Sequence, residues 1–309
     1  MSIINHRKVF FVLSAVLVLG SIFAMFSYGL NFGIDFKGGS SLEVSYAEAR
    51  LPQEIAKANL DKLGLGAYIL TPSGNLNYIL KTRDVTPAEK TTILSALSKD
   101  PANPAKEEQF NTLGPVVGTQ LKNKALLAIA IVIICIVLFI TFAFRKVSHP
   151  VASWKYGLAT IVALAHDIII PTGIFVTWIH FYGGQIDLLF VTALLAILGY
   201  SVHDTIVVFD RVRENLRVGV RALDSHSKES LKLSHDFSET VGRSVTQTFG
   251  RSINTSLTIF LALSALYFIG GESTRDFAFV LLIGVVVGTY SSIFVASPLL
   301  VTLEKLQRK

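Results

Sequence analysis

Six stretches, at about residues 9–30, 124–144, 157–179, 188–209, 252–270 and 277–301, stay apolar for the length of roughly 20 residues that a helix needs to cross a bilayer. Between the first two the pattern changes. In 31–123 apolar positions recur at short period and polar residues separate them. "SSLEVSY" alternates Leu42, Val44 and Tyr46 on one face, which predicts a strand. "PQEIAKANLDKL" places Ala56, Leu60 and Leu63 at i, i+4 and i+7 behind a proline suited to a first helical turn. "GAYILTPSGNLNYILKTR" holds two strand-like runs about a Pro-Ser-Gly-Asn turn. "TPAEKTTILSALSK" opens on a capping box, Thr86 with Glu89 three residues on, and buries Ile93, Ala96 and Leu97. "EEQFNTLGPVV" supplies a last extended piece. The expected fold is therefore a six-helix membrane bundle with a small α+β unit of order βαββαβ, ferredoxin-like, between helices 1 and 2.

Composition agrees with the spans. Of 309 residues, 51% are hydrophobic and only 16% charged, and the mean hydropathy of +0.54 is too high for an ordinary soluble chain. The formal net charge of +6 matters only through its location. Lys and Arg gather at Arg7 and Lys8, at Arg145, Lys146 and Lys155, at Lys305, Arg308 and Lys309, and in the connection after the fourth span, from Arg211, Arg213, Arg217 and Arg221 to Lys228, Lys232 and Arg243. The connections 180–187 and 270–276 carry only Arg275 between them. The positive-inside rule then places both termini in the cytoplasm. The expected domains are a cytoplasmic N-terminus with an uncleaved first span in 1–30, an external domain in 31–123, a five-helix bundle in 124–301 with a cytoplasmic loop at 210–251, and a basic tail at 302–309. That loop mixes its bases with acids such as Asp210, Glu214, Asp224 and Glu229, and Phe237 and Phe249 are its only phenylalanine, tyrosine or tryptophan residues, so no nucleic-acid partner is expected.

Intramembrane polar residues supply the candidate chemistry. On the fourth span Ile197, Tyr200, Ser201, Asp204, Val208 and Arg211 fall along one stripe. Lipid cannot solvate a carboxyl group there, so Asp204 must face other helices or a water-filled cleft. It is either interhelical hydrogen-bond glue or a group that binds and releases protons. On the fifth span Gln247, Arg251, Asn254, Thr255 and Thr258 share a face, which makes Arg251 a candidate partner for Asp204, with a positive-inside anchor as its plainer role. His166 and Asp167 interrupt the third span, and His203 and Asp204 repeat the pair on the fourth. Pro171 is expected to bend the third span. Gly284, Gly288, Ser291, Ser292 and Val295 form a small-residue face for close helix packing on the last span.

Other chemistries find little support. No His-Glu-x-x-His spacing points to a metal site, no Gly-x-Ser-x-Gly elbow to a hydrolase, and no Gly-Lys-Ser/Thr follows "GIDFKGG", which reads as a turn from membrane into strand. The single cysteine, Cys135, lies in an apolar run and has no partner for a disulfide within the chain.

Five motifs together resemble the SecF family. They are "GIDFKGG" after the first span, "ALAHD" in the third, "GYSVHDTIVVFDRVREN" at 199–215, "SVTQTFGRSINTS" at 244–256 and "VLLIGVVVGTYSSIFVASPLL" at 280–300. SecF proteins are the smaller membrane subunits of the bacterial SecD–SecF protein-export complex and are similar to half of a resistance-nodulation-division transporter. The resemblance implies a non-enzymatic inner-membrane subunit. It would pair with SecD in a twelve-span bundle beside the SecY/SecE/SecG channel and act on a translocating preprotein, with small accessory membrane proteins as further partners. The proton is the implied coupling ion, with no other cofactor. Asp204 falls on the family's proton-linked aspartate, and Arg251 on its arginine at the start of the fifth span. His203 stands where the family usually has Asn, Lys37 where a small hydroxyl residue is usual, and the 210–251 connection is longer than typical. A passive translocon scaffold and one half of a proton-driven small-molecule exporter are the rival expectations.

Overall fold

The computed structural model describes residues 2–98, 103–145, 152–223 and 232–307. In chain order the elements are α1 (Ser2–Asn5), α2 (Arg7–Tyr28), α3 (Ile34–Lys37), β1 (Gly39–Ser45), α4 (Gln53–Asp61), β2 (Ile69–Ser73), β3 (Asn77–Thr82), α5 (Pro87–Leu97), β4 (Lys106–Leu113) and α6 (Pro115–Ala143). They continue with α7 (Ser153–Tyr182), α8 (Leu188–Leu223), α9 (Lys232–Ile269), α10 (Glu272–Ser291), a π-helical turn at Ser292–Ala296, and α11 (Ser297–Gln307). Among the described residues six helical stretches are long and apolar enough to cross a membrane: Arg7–Tyr28, Pro115–Ala143, Ser153–Tyr182, Leu188–Leu216, Phe237–Ile269 and Glu272–Leu306. The chain is a multi-pass membrane protein.

Between α2 and α6 lies a four-stranded antiparallel sheet in the order β2-β3-β1-β4. The period-two pattern determines its faces: Leu42 pairs with Leu80 and Leu80 with Leu70, so one row of leucines crosses three strands and is buried together with Ile93 and Leu97 of α5 and Leu60 of α4. Pro72 sits inside β2, which it can do because β2 is an edge strand.

The capping box opens α5 as the sequence predicts. Glu89 N donates to Thr86 Oγ1 at 3.3 Å and Thr86 N to Glu89 Oε2 at 2.8 Å, while Arg83 reaches the other Glu89 oxygen at 2.6 Å. Arg83 and the Thr86 cap hold the Glu89 carboxyl down at about 2, from an ordinary 4.5. A lowered folded-state value means this support is present above about pH 4.5 and is lost as pH falls toward 2. Amide exchange in 87–97, corrected for the intrinsic pH dependence, should lose protection over that interval in the wild type and lack that step in Glu89→Gln.

The described parts of the 210–251 connection are helical, with α8 continuing to Leu223 and α9 beginning at Lys232. The apolar stripe simply continues: Val208, Val212 and Leu216 on α8 and Phe237, Val241 and Val245 on α9 are all buried in one core. Arg211 Nε donates to Gln247 Oε1 at 2.7 Å, and Asn215 Nδ2 donates to Ser244 Oγ at 2.8 Å, so polar side chains lace the hairpin together. Lys146, the tip 224–231 with Asp224, Lys228 and Glu229, and Arg308 and Lys309 lie outside the described residues.

The last span carries a π-turn in its middle. Pro298 has no N–H to give to the carbonyl of Phe294, and Ser297 Oγ donates to Ser292 O, five residues back, at 2.9 Å. Helices α7, α8 and α10 occupy the middle of the bundle, while α2, α6 and α9 expose most of their apolar surface within this chain.

Candidate functional site

The polar interior is built on α8. Asp204 is only 5% exposed, and its Oδ1 accepts a hydrogen bond from Ser252 Oγ of α9 at 2.7 Å. Its Oδ2 is buried without a hydrogen-bond partner among the described residues. Ser252 belongs to an inward stripe, Ser244, Thr248, Ser252 and Ser256, that repeats at i, i+4.

The expected pairing of Asp204 with Arg251 is not formed. Adjacent helical residues point about 100° apart, so burying Ser252 turns Arg251 outward. Arg251 is exposed together with Gln247, Asn254, Thr255 and Thr258, and among the described residues it makes no ion pair. Within the predicted stripe Gln247 turns toward α8, accepting from Arg211 Nε at 2.7 Å and Asn215 Nδ2 at 2.9 Å, while Arg251, Asn254, Thr255 and Thr258 lie on an exposed face. His203 behaves in the same way: it is exposed while its neighbour Asp204 is buried.

Asp167 on α7 is 0% exposed, and both its oxygens are engaged. Oδ1 lies 2.9 Å from His166 Nδ1, and Oδ2 accepts from Ser201 of α8 and, at 2.7 Å, from Ser291 of α10. His166 stacks on Tyr290 with ring centroids 5.9 Å apart. Its Nε2 is buried without a hydrogen-bond partner among the described residues. Tyr200 reaches Ser256 Oγ at 2.5 Å, Ser256 reaches Thr289 Oγ1 at 2.6 Å, and Thr205 meets Ser292 Oγ at 2.8 Å. Hydroxyl groups from α8, α9 and α10, namely Ser201, Ser252 and Ser291, therefore bond the two carboxyl groups, and further hydroxyl pairs join the same helices and the π-turn. Each hydroxyl donates or accepts as required, so these bonds can reorganise when a carboxyl gains or loses a proton.

Close packing brings these groups together. A Cβ added at Gly284 would lie 2.2 Å from Ile197 Cγ1, and one at Gly288 would lie 3.1 Å from Ser201 Cβ. Only glycine lets α10 sit this near α8. Ser252, Ser256, Thr289 and Thr205 are absent from the sequence-based set of site residues. Their signal is faint, because small hydroxyl residues at i, i+4 spacing stand out less than the Gln and Arg of the neighbouring stripe. Among the described residues no three His, Cys, Asp or Glu side chains cluster to hold a metal ion.

Fold and interior together define a multi-pass membrane protein with buried carboxyl groups between its spans and a small sheet domain after the first of them, the architecture of a transport component. The chain belongs to the SecD/SecF family of protein-export membrane proteins: the family's C-terminal region ("Protein export membrane protein SecD/SecF, C-terminal") matches residues 93–306 and its "GG Motif" matches 23–49. It is 37% identical to the protein translocase subunit SecF of Thermobaculum terrenum, over 98% of this chain and 93% of that one. It is 34% identical to the subunit of the same name from Anaerolinea thermophila, over 98% and 94%. Among solved structures it is similar to SecDF from Thermus thermophilus, titled a translocon-associated membrane protein, with a TM-score of 0.79 and 28% identity. That alignment covers 99% of this chain and 39% of the longer SecDF chain. A SecDF structure in a super-membrane-facing form aligns with a TM-score of 0.65.

Proposed function

We propose that this chain is a SecF-type accessory subunit of the Sec protein translocase, pairing with SecD and using the proton motive force to promote preprotein passage through the SecY/SecE/SecG channel. The observation that carries this reading is Asp204: buried among the spans, held by one hydroxyl, with its other oxygen unpartnered among the described residues. An intramembrane carboxyl group so placed suits cyclic protonation better than static glue, which would engage both oxygens as Asp167 does. One proton moving across 100 mV releases about 2.3 kcal/mol, enough to shift a two-state equilibrium about fiftyfold.

Arg251 acts in this reading toward SecD. A guanidinium and its polar neighbours Asn254 and Thr255 on an exposed face of α9 favour a protein neighbour over lipid. His203 is likewise exposed, on α8. The sheet domain that precedes α6 is read as ferredoxin-like and external, with both termini cytoplasmic in the bacterial inner membrane. Its element order and the strand order β2-β3-β1-β4 support the first point, and the Lys and Arg distribution supports the second.

The test is proton uptake in vesicles that hold the chain, SecD and the translocon under an imposed proton gradient. Uptake that rises when preprotein is supplied supports the reading; uptake indifferent to both the chain and the preprotein leaves a scaffold. A half-exporter would instead change drug accumulation in cells lacking the chain.

A further inference from the structure

We propose that Asp35 is a positioning residue that couples the Asp204 helix to the sheet domain, making the segment 31–39 the link through which movement of α8 reaches β1. The inference rests on the proton-driven reading above and adds the route by which motion leaves the membrane.

The outer end of α8 starts at Leu188, and its first N–H groups have no partners within the helix. Two carboxylates take them. Asp187, just before the helix, accepts from Phe190 N at 3.0 Å. Asp35, 153 positions earlier in the chain, accepts from Leu188 N at 2.9 Å. A negative charge at the positive end of a helix makes a charge-assisted hydrogen bond, so this contact is strong for its size. It is not alone: Gly33 N donates to Ile186 O and Ile186 N to Asn31 O, both at 2.8 Å, and Asn31 Nδ2 donates to Gly184 O at 2.9 Å. Backbone, side chain and cap thus hold 31–35 against 184–188.

The other end of the link has no slack. Gly38 and Gly39 have φ of +83° and +147°, and β1 begins at Gly39. A Cβ on Gly38 would fall 2.7 Å from Pro115 N at the start of α6, and one on Gly39 would fall 2.4 Å from Thr82 O of β3. Phe36, between the two ends, is buried in the same apolar cluster as Phe190 and Ile197 of α8. A second tie runs in parallel, for Lys81 Nζ of β3 lies 3.6 Å from Asp187 Oδ2. From Leu188 to Asp204 is 16 residues of helix, about 24 Å at 1.5 Å per residue, without a proline. A shift of α8 at Asp204 is therefore carried along a stiff rod into a turn already clamped to the sheet.

The experiment uses the full chain with SecD and the translocon in vesicles, measuring proton uptake and preprotein export side by side. Asp35→Ala is expected to keep preprotein-dependent proton uptake while the proton-driven stimulation of export falls about tenfold. Asp35→Asn keeps an acceptor oxygen in place and should restore most of the stimulation. Full stimulation in Asp35→Ala overturns the proposal. So does equal loss of uptake and export, which would place Asp35 in the proton site or in assembly.

A second measurement holds if Asp35→Ala fails to accumulate. Phe32 and Ile186 form a parallel bridge across the link, and cysteines at both positions in a Cys135→Ser background can be oxidised to a disulfide. If the link moves as one body, oxidised and reduced forms stimulate export equally. Loss on oxidation would mean that its two sides slide, and the proposal falls. Asp204→Asn in the same vesicles separates the two levels: if it retains stimulation, the proton-driven reading itself fails, whatever Asp35 does.

Discussion

Asp204→Asn is expected to bring preprotein-dependent proton uptake down to the level of vesicles lacking the chain and to abolish the proton-driven stimulation of export, with assembly unchanged. Asn has the shape of Asp and its side-chain oxygen can accept the Ser252 hydrogen bond seen at 2.7 Å, so the packing between α8 and α9 survives. What the variant loses is titration. Without a group that changes charge, the roughly 2.3 kcal/mol per proton available at 100 mV has no handle on the helix, and the expected fall is about fiftyfold. Co-purification with SecD checks assembly, and a pH-gradient dye reports uptake. Full stimulation by Asp204→Asn would remove the mechanism. Ser252→Ala should have a smaller effect, because it removes one hydrogen bond and leaves the carboxyl group in place.

Gly284→Leu is expected to prevent a stable bundle from accumulating. Even its Cβ would lie 2.2 Å from Ile197 Cγ1 and 2.3 Å from Ile197 Cδ1, well inside contact distance, and the remaining three carbons have no space between α10 and α8. Overpacking costs about 1–3 kcal/mol even where neighbours can shift, and here the neighbour is itself buried at 1% exposure. Gly284→Ala is the milder probe, and Ile197→Ala should rescue it by clearing the colliding carbons, a non-additivity readable in a double-mutant cycle of thermal midpoints in detergent. Gly288→Ala should cost less than Gly284→Ala, since its Cβ would meet Ser201 Cβ at 3.1 Å.

The polar residues of the spans show how far a sequence carries such a site. Asp204 and Asp167 stand out in any hydropathy trace, because a carboxyl group in a lipid-length helix demands a reason. Gly284 and Gly288 stand out as spaced glycines that let another helix approach closely, and the structure shows that helix to be α8. Arg251 was legible as a member of a polar stripe, yet not its direction. The stripe 247, 251, 254, 255, 258 and the stripe 244, 248, 252, 256 are both helical and both polar, and periodicity alone does not say which one faces the fourth span. Packing decides it: small hydroxyl residues fit between close helices, and a guanidinium does not.

The connection after the fourth span illustrates a second limit. Counted by polarity, 210–251 reads as a loop. Counted by spacing, Val208, Val212 and Leu216 against Phe237, Val241 and Val245 continue two helices, and burial shows that spacing carries more information than polarity there. The π-turn at Ser292–Ala296 follows from Pro298, but only the folded chain shows that the widened turn faces Thr205.

What the sequence alone determined is local: six spans, because a bilayer demands length and apolarity; the strand and helix order of 31–123, because period two and period 3.6 are written in single side chains; the capping box of α5; and the presence of buried carboxyl groups. What only the tertiary structure decided is every contact between distant positions: Ser252 in place of Arg251 beside Asp204, the hydroxyl groups that engage Asp167, and Asp35 on the first N–H of a helix that begins 153 residues later. Such contacts depend on helix rotation and on which faces meet, and those are settled by packing summed over the whole bundle.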